Sequence, residues 1–173
     1  MHRWIVFASA LSFCAGEALT YAEGGIPARI GQSGEYVELE YSSNGQIVKD
    51  DLPLHQSGTV RYFSAGVGVE ERQAEYPAFS LKLVFTAGGK PYLSGVDVAI
   101  QPLNGKGAIK IPKEQIEGPW LFIDLPSGTY DIIATYGTQI RSSKGVKITA
   151  GQSKTLYLRW AQDAGATVAL PSE

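Results

Sequence analysis

The sequence is short of the residues on which most metal and cofactor sites depend. Its 173 residues include one cysteine, Cys14, and two histidines, His2 and His55. A zinc site needs three or four protein ligands, and His55 together with Asp50 and Asp51 would leave that set incomplete. We therefore read His55 as a solvated loop residue, and we predict neither a metal nor a cofactor.

Residues for nucleophilic and phosphate chemistry are also scarce. Ser-His-Asp catalysis would depend on His55, and no Gly-x-Ser-x-Gly nucleophile elbow is present. Gly66-Val67-Gly68 stands between a strand and a helix, as a dinucleotide-binding loop would. However, the third glycine position is taken by Glu71, and no βαβ pattern follows. The sequence predicts a protein that is not an enzyme.

Charge of either sign is modest. Fifteen Lys and Arg against 17 Asp and Glu give a formal net charge of −2. Nucleic-acid binding needs a strongly basic face, so we predict no nucleic-acid partner. Acidic pairs such as Glu38 with Glu40 have no calcium-ligand spacing and are typical of solvated surfaces.

The N-terminus has the pattern of an export signal. Basic residues come first, and an apolar run of about a dozen residues follows over 4–15. Thr20 and Ala22 place small side chains three and one residues before a cleavage point. We predict a signal peptide over 1–22 and a periplasmic or secreted protein. The apolar run is too short for a transmembrane helix, which needs about 20 residues.

Cys14 lies inside this predicted signal. Leu11-Ser12-Phe13-Cys14 resembles a bacterial lipobox but departs from it at Phe13, where a small residue is required. We therefore do not predict a lipoprotein. Without Cys14 the exported chain has no thiol, so a hydrophobic core and not disulfides must stabilise it.

Residues 23–78 show weak periodicity and predict a flexible lead-in. Alternation on both sides of Asn44-Gly45 predicts a hairpin over 36–49, because both turn residues tolerate positive φ. A polar linker, 50–58, and a short strand, 59–64, follow. Helix-forming residues before Pro77 predict a short helix over 70–76.

From residue 79 onward the apolar residues alternate, as they do in half-buried strands. Seven strands are predicted between turn residues: 79–85, 96–101, 108–111, 120–124, 129–136, 139–148 and 153–160. Seven short strands with frequent turns predict an all-β, seven-strand sandwich domain over 79–160. Residues 161–173 lose periodicity and are predicted to be a disordered tail.

Two segments carry a family resemblance. The run FSLKLVFTAGGKPYLSGVDVAIQ, followed by GPWLFIDLPSGTYDIIATYG, resembles the carboxypeptidase regulatory-like domain of bacterial exported proteins. The resemblance implies a prealbumin-like (transthyretin-type, Ig-like) sandwich with Tyr130 packed inward after the turn at 125–128. It implies no peptidase activity, since this fold is a common accessory module.

The resemblance extends to a transthyretin-like hydrolase of 5-hydroxyisourate, whose chemistry uses two histidines, an arginine and a C-terminal Tyr-Arg-Gly-Ser. This chain has only His55 beyond its predicted signal and ends in Leu-Pro-Ser-Glu, so that activity is not implied. An isopeptide cross-link from Lys82 is not predicted either, because strand 153–160 contains no Asn or Asp to accept it.

Four aromatic residues are the candidate binding site: Trp120, Tyr136, Tyr157 and Trp160. Related starch-binding-like sandwiches bind glycans on flat aromatic rings, so these residues indicate a carbohydrate or cell-wall ligand. The alternative is that Trp120 and Trp160 close the ends of the core. A third hypothesis is assembly with a protein partner through an edge strand, with 36–49 as the candidate. The leading interpretation is a non-enzymatic exported protein with a binding, accessory or structural role and an unknown partner.

Overall fold

The computed structural model describes residues 25–88, 93–105 and 107–161, and within them the protein is mostly β-strand. This confirms the all-β class. The described residues contain thirteen strands, where seven were predicted for 79–160 and others only as a hairpin over 36–49 and a strand over 59–64, with one short α-helix, α1, and a 3₁₀-helix, Lys113–Gln115. The strands are β1 Ile26–Ile30, β2 Tyr36–Ser43, β3 Gln46–Pro53, β4 His55–Ser57, β5 Val60–Ala65, β6 Ala74–Glu75, β7 Leu81–Ala87, β8 Asp97–Pro102, β9 Ile109–Ile111, β10 Trp120–Ile123, β11 Gly128–Tyr136, β12 Gln139–Ile148 and β13 Lys154–Trp160; α1 is Val69–Gln73.

The strands form three sheets. The first sheet has the order β3-β2-β1-β6, the middle sheet β13-β7-β10-β5-β4, and the third sheet β12-β11-β8-β9. Most neighbours are antiparallel, but β13 pairs with β7 in parallel over seven residues, and β6 pairs with β1 in parallel over two.

The middle sheet lies between two hydrophobic cores. Alternate side chains of β5 show this directly, because Tyr62 packs in the larger core with the third sheet, whereas Phe63 packs in the smaller core with the first sheet. The period-2 geometry of a strand sends neighbouring side chains to opposite faces, so one strand serves both cores. The protein is therefore a three-layer β structure at β5 and β10.

The prediction of a flexible lead-in over 23–78 differs from this architecture. In the described part of that range, β1, β2 and β3 form the first sheet, and Val37 and Leu39 are fully buried against Phe63 and Phe122. Apolar alternation is limited there to short stretches such as Val37 and Leu39, and the outer face of the sheet carries ion pairs. Arg29 contacts Glu38 at 3.3 Å on that outer face.

The hairpin that Asn44-Gly45 predicts is present and longer than expected. β2 and β3 pair over eight residues, and both turn residues have positive φ, 51° and 76°. The predicted helix over 70–76 is shorter, since the chain leaves α1 at Ala74 and pairs with β1. Tyr76 then packs against the smaller core instead of continuing the helix.

The turn at 125–128 does not make a hairpin. β10 belongs to the middle sheet and β11 to the third sheet, so this segment carries the chain from one sheet to the other. Tyr130 is buried as expected, and its hydroxyl donates to the carbonyl of Pro126 at 2.8 Å. That bond anchors the crossover. The predicted signal peptide, 1–22, and all but the first residue of the predicted tail, 161–173, lie outside the described residues.

Candidate functional site

The four aromatic residues proposed as a binding site do not share one surface. Trp160 is only 1% exposed and packs in the larger core against Phe85 and Tyr136, with ring centroids 6.2 and 6.4 Å apart. Its indole N–H donates to the carbonyl of Gln139 at 3.3 Å. The binding role proposed for Trp160 is therefore wrong, because a ligand cannot reach the ring; Tyr136 packs against the same core.

Trp120 lies on the opposite face of the middle sheet and is partly buried against the smaller core. The Lys82 ammonium nitrogen lies 3.3 Å from the centroid of the Trp120 ring and 5.0 Å from that of Phe122. This is a cation–π contact, in which the ring face attracts the positive charge. A sugar could stack on that face of Trp120 only by displacing Lys82.

Two glycines set the position of Trp120. A Cβ on Gly66 would lie 3.0 Å from Cδ2 of the indole, so the ring rests directly on the backbone there. A Cβ on Gly118 would lie 2.6 Å from the carbonyl carbon of Ala65 and collide with its oxygen. The Gly118 N–H donates to Oγ of Ser64 at 2.8 Å, which holds this close approach. Only glycine at 118 lets the chain enter β10 in this way.

Tyr157 shares this face with Trp120, and its side chain is 72% exposed. Strand register places Tyr157 opposite Val84 and Val84 opposite Trp120, so the two aromatic residues stand two strands apart, about 10 Å. The first sheet covers this face at β5 and β10 but not at β13. We call the uncovered part, formed by Lys82, Thr155, Tyr157 and Arg159 beside Trp120, the Tyr157 face.

The Tyr157 face carries positive charge only. Arg159 is exposed two residues beyond Tyr157, and Lys82 lies one strand away. No Asp or Glu stands in the two register rows that cross β13, β7, β10 and β5 on this side, or in the Arg159–Thr86 row that crosses β13 and β7. Within the described residues Lys82 and Arg159 form no salt bridge, and burial lowers the pKa of Lys82 below its ordinary value.

Thr86 lies on the same face of β7 as Lys82 and Val84. It is 6% exposed, and its hydroxyl has no hydrogen-bond partner in the described part of the chain. Buried polar groups are nearly always bonded, because an unpaired hydroxyl costs about 1–3 kcal/mol. The Thr86 hydroxyl is therefore a buried polar group without a hydrogen-bond partner in the described residues.

The residues that suggested chemistry have structural partners instead. The carboxylate of Glu71 accepts hydrogen bonds from the backbone N–H groups of Gly66, Val67 and Gly68, at 2.7, 3.3 and 3.2 Å. The loop that resembles a phosphate cradle is thus filled by the protein's own anion. His55 stacks on Tyr62, with ring centroids 5.4 Å apart.

The described residues contain no group of three or more His, Cys, Asp or Glu side chains arranged to hold a metal ion. Nor does this part of the chain include a helix with the length and apolarity to cross a bilayer. A shallow concavity of about 400 Å³ on the outside of the third sheet is lined by Ala99, Ile133 and Thr135, with Asp97 and Lys110 at its rim.

Sequence reasoning found Trp120 and Tyr157 but missed their charged neighbours. The sequence pattern indicates Lys82 only as a possible cross-linking residue and gives no role to Arg159. The available signal was the alternation along β13: once Leu158 and Trp160 face the core, Tyr157 and Arg159 must face away from it. Lys82 comes near Tyr157 because β13 pairs with β7 in a long-range parallel register. Sequence periodicity does not specify that register.

Comparisons with protein-family models, with curated proteins and with solved structures give no match to this chain.

Proposed function

We propose that this is a non-enzymatic, exported protein that acts by binding a carbohydrate at the Tyr157 face. The observation that carries the proposal is a large aromatic side chain, Tyr157, exposed in the middle of a regular strand and flanked by the cations Lys82 and Arg159. Aromatic rings that combine an apolar face with a polar edge are suited to stacking on sugars. His55 stacks on Tyr62, and the Glu71 carboxylate accepts a hydrogen bond from Gly66. These structural roles support a binding function over a catalytic one.

The proposed fold assignment is a carboxypeptidase regulatory-like, prealbumin-like unit extending from β7 to β13. Seven strands lie in that range, and the buried Tyr130 after the crossover agrees with the resemblance. In this proposal β1, β2, β3 and β6 are an addition that covers one face of the unit, and β4 and β5 extend its middle sheet. Export is proposed on the N-terminal pattern, and the mass of the protein recovered from the periplasm tests it: cleavage after Ala22 leaves Glu23 as the first residue.

The binding proposal is tested by pull-down of the purified chain, residues 23–173, with cell-wall sacculi and with soluble polysaccharides. Tyr157→Ala should lower the affinity about tenfold, corresponding to loss of about 1.4 kcal/mol of stacking. The matched control is Tyr36→Ala, which removes a tyrosine that is 41% exposed on the first sheet. Absence of polysaccharide binding by the unaltered protein, or equal losses in both variants, would refute the proposal.

Assembly through an edge strand is the second candidate. Within the described residues β3 pairs only with β2, so its outer edge is free. Lys49, Asp50 and Asp51 lie along that strand, and charged side chains on an edge disfavour pairing with another strand. Size-exclusion chromatography over a range of concentrations tests this candidate, which requires a concentration-dependent dimer or a larger assembly.

A further inference from the structure

The geometry points to a carbohydrate that carries carboxylate groups, such as a uronic-acid polymer, as the ligand of the Tyr157 face. This inference rests on the proposed carbohydrate binding and names its chemical class. Two observations support it: the charges near the exposed Tyr157 ring are positive, and these cations form no salt bridge within the described residues.

The distances suit one acidic sugar residue. Lys82 is the diagonal neighbour of Tyr157 across the parallel pair, about 7–8 Å between backbones, and Arg159 is about 7 Å away along β13. A sugar ring stacked on Tyr157 would therefore have Arg159 within reach along β13, with the Lys82 ammonium on its other side, held over Trp120. A long Arg or Lys side chain spans such a gap, and a charge-assisted hydrogen bond to a carboxylate is about twice as strong as a neutral one.

The two cations are available for this role. The Lys82 ammonium contacts the rings of Trp120 and Phe122 but forms no salt bridge within the described residues. On the first sheet, by contrast, Arg29 and Lys49 are paired with Glu38 and Glu40. The Tyr157 face is thus a surface on which cations lack acidic partners, and a carboxylate supplied by a ligand would complement both of them.

The contact with Trp120 gives Lys82 a fixed position. A lysine side chain in water samples many rotamers, and immobilising it on binding costs free energy. The indole face holds the ammonium group at 3.3 Å before any ligand arrives. Trp120 is in this view a positioning residue for Lys82, and Tyr157 is the residue that contacts the sugar.

Binding of polygalacturonate, measured by isothermal titration calorimetry, tests the inference against methyl-esterified polygalacturonate, which has the same sugar ring without the charge. We expect affinity for the acidic form to be at least tenfold higher and to fall as salt is raised. Arg159→Gln should lower it about three- to tenfold, whereas Lys147→Gln, the same charge change at an exposed position on β12, should leave it unchanged.

Lys82→Gln should give a similar loss, and thermal unfolding of each variant shows whether the fold is retained. Arg159 is exposed, so its variant tests the inference even if Lys82→Gln fails to fold. Equal affinity for the acidic and esterified polymers would overturn the inference while leaving carbohydrate binding intact. Binding of neither polymer would count against both. Equal binding of polyglutamate or of anionic lipid vesicles would show a general polyanion surface and also overturn the inference.

Discussion

Thr86 offers a test of packing at the scale of one side chain. Its buried hydroxyl has no hydrogen-bond partner in the described residues, so the folded state bears a desolvation cost without a compensating bond. Thr86→Val keeps the shape and removes that polar atom. We expect the free energy of unfolding to rise by about 1 kcal/mol, measured by urea denaturation.

The matched control is Thr155→Val, which makes the same change at an exposed position on the neighbouring strand. Its effect should stay within about 0.5 kcal/mol. A loss of stability in Thr86→Val of 1 kcal/mol or more would mean that the hydroxyl does have a partner in solution.

Gly118 tests the close approach that positions Trp120. Gly118→Ala would place a methyl group against the carbonyl of Ala65, and backbone atoms on both sides leave little room to move. We expect a loss of about 3 kcal/mol in unfolding free energy and a change in tryptophan fluorescence. Gly137→Ala should cost only about 1 kcal/mol, because that site has φ of +56° but open space around it. Similar losses in both variants would contradict the collision.

For single residues, the sequence predicts well which apolar side chains are buried, but it does not show in which of the two cores each one packs. Alternation placed Phe79 with Leu81, yet Phe79 precedes the strand and packs in the smaller core, at 5.0 Å from Phe63. The same alternation places Trp160 with Leu156 and Leu158, and the burial of Trp160 in the larger core shows that it faces inward and not toward a ligand. Burial on two faces of one sheet hides the distinction between core and surface from a period-2 pattern.

At the scale of elements, the first sheet is a structural layer, and its contribution can be measured. Leu39 on β2 is fully buried against the smaller core. Leu39→Ala should destabilise the protein by about 2–5 kcal/mol, as for other large-to-small changes in a core. Chemical denaturation of the full chain measures this.

Ile47→Ala on the adjacent strand is the control, because Ile47 is 53% exposed. It should change stability by less than about 0.5 kcal/mol. If Leu39→Ala were equally mild, the first sheet would contribute little to the folded state, and the lead-in predicted from sequence would be the better description of residues 25–58.

The elements themselves could be predicted where the turn chemistry was strong. Asn44-Gly45 specified its hairpin, and the strands after residue 79 follow their apolar alternation. β1 could not be predicted, because IPARI is held by pairing with β2 and β6, and a strand so short has no pattern of its own. The sequence does not show that β10 and β11 belong to different sheets, because a two-sheet crossover and a hairpin use the same Pro-Ser-Gly turn residues.

For the whole molecule, we expect stability to fall at alkaline pH. Burial raises the pKa of Tyr62, Tyr76 and Tyr130 above the ordinary value of 10.0. Above that pH the unfolded chain loses phenolic protons that the folded chain keeps. The folded state then binds more protons, so the unfolding free energy decreases as pH rises. A hydrogen bond to Asp50 also raises the pKa of Tyr41. Lys82 acts in the opposite sense between its lowered pKa and 10.5, but it is one group against four.

Urea denaturation at a series of pH values above 9, with tyrosinate absorbance followed in parallel, measures this effect. The buried tyrosines should ionise only as the protein unfolds. Tyr157→Phe, at an exposed position, should leave the pH dependence unchanged. Ionisation of every tyrosine before unfolding begins would contradict the prediction.

The strand order of the middle sheet also determines when the chain can finish folding. In the first and third sheets most neighbouring strands are consecutive or nearly so, and hairpins such as β2–β3 and β11–β12 need only local chain closure. In the middle sheet only β4 and β5 are consecutive neighbours, and β7 acquires one of its two partners from β13, the last strand described. Non-local pairing of this kind is slow, on the order of milliseconds to seconds. The two outer layers can therefore form early, whereas the larger core, which contains Leu158 and Trp160, stays open until β13 docks.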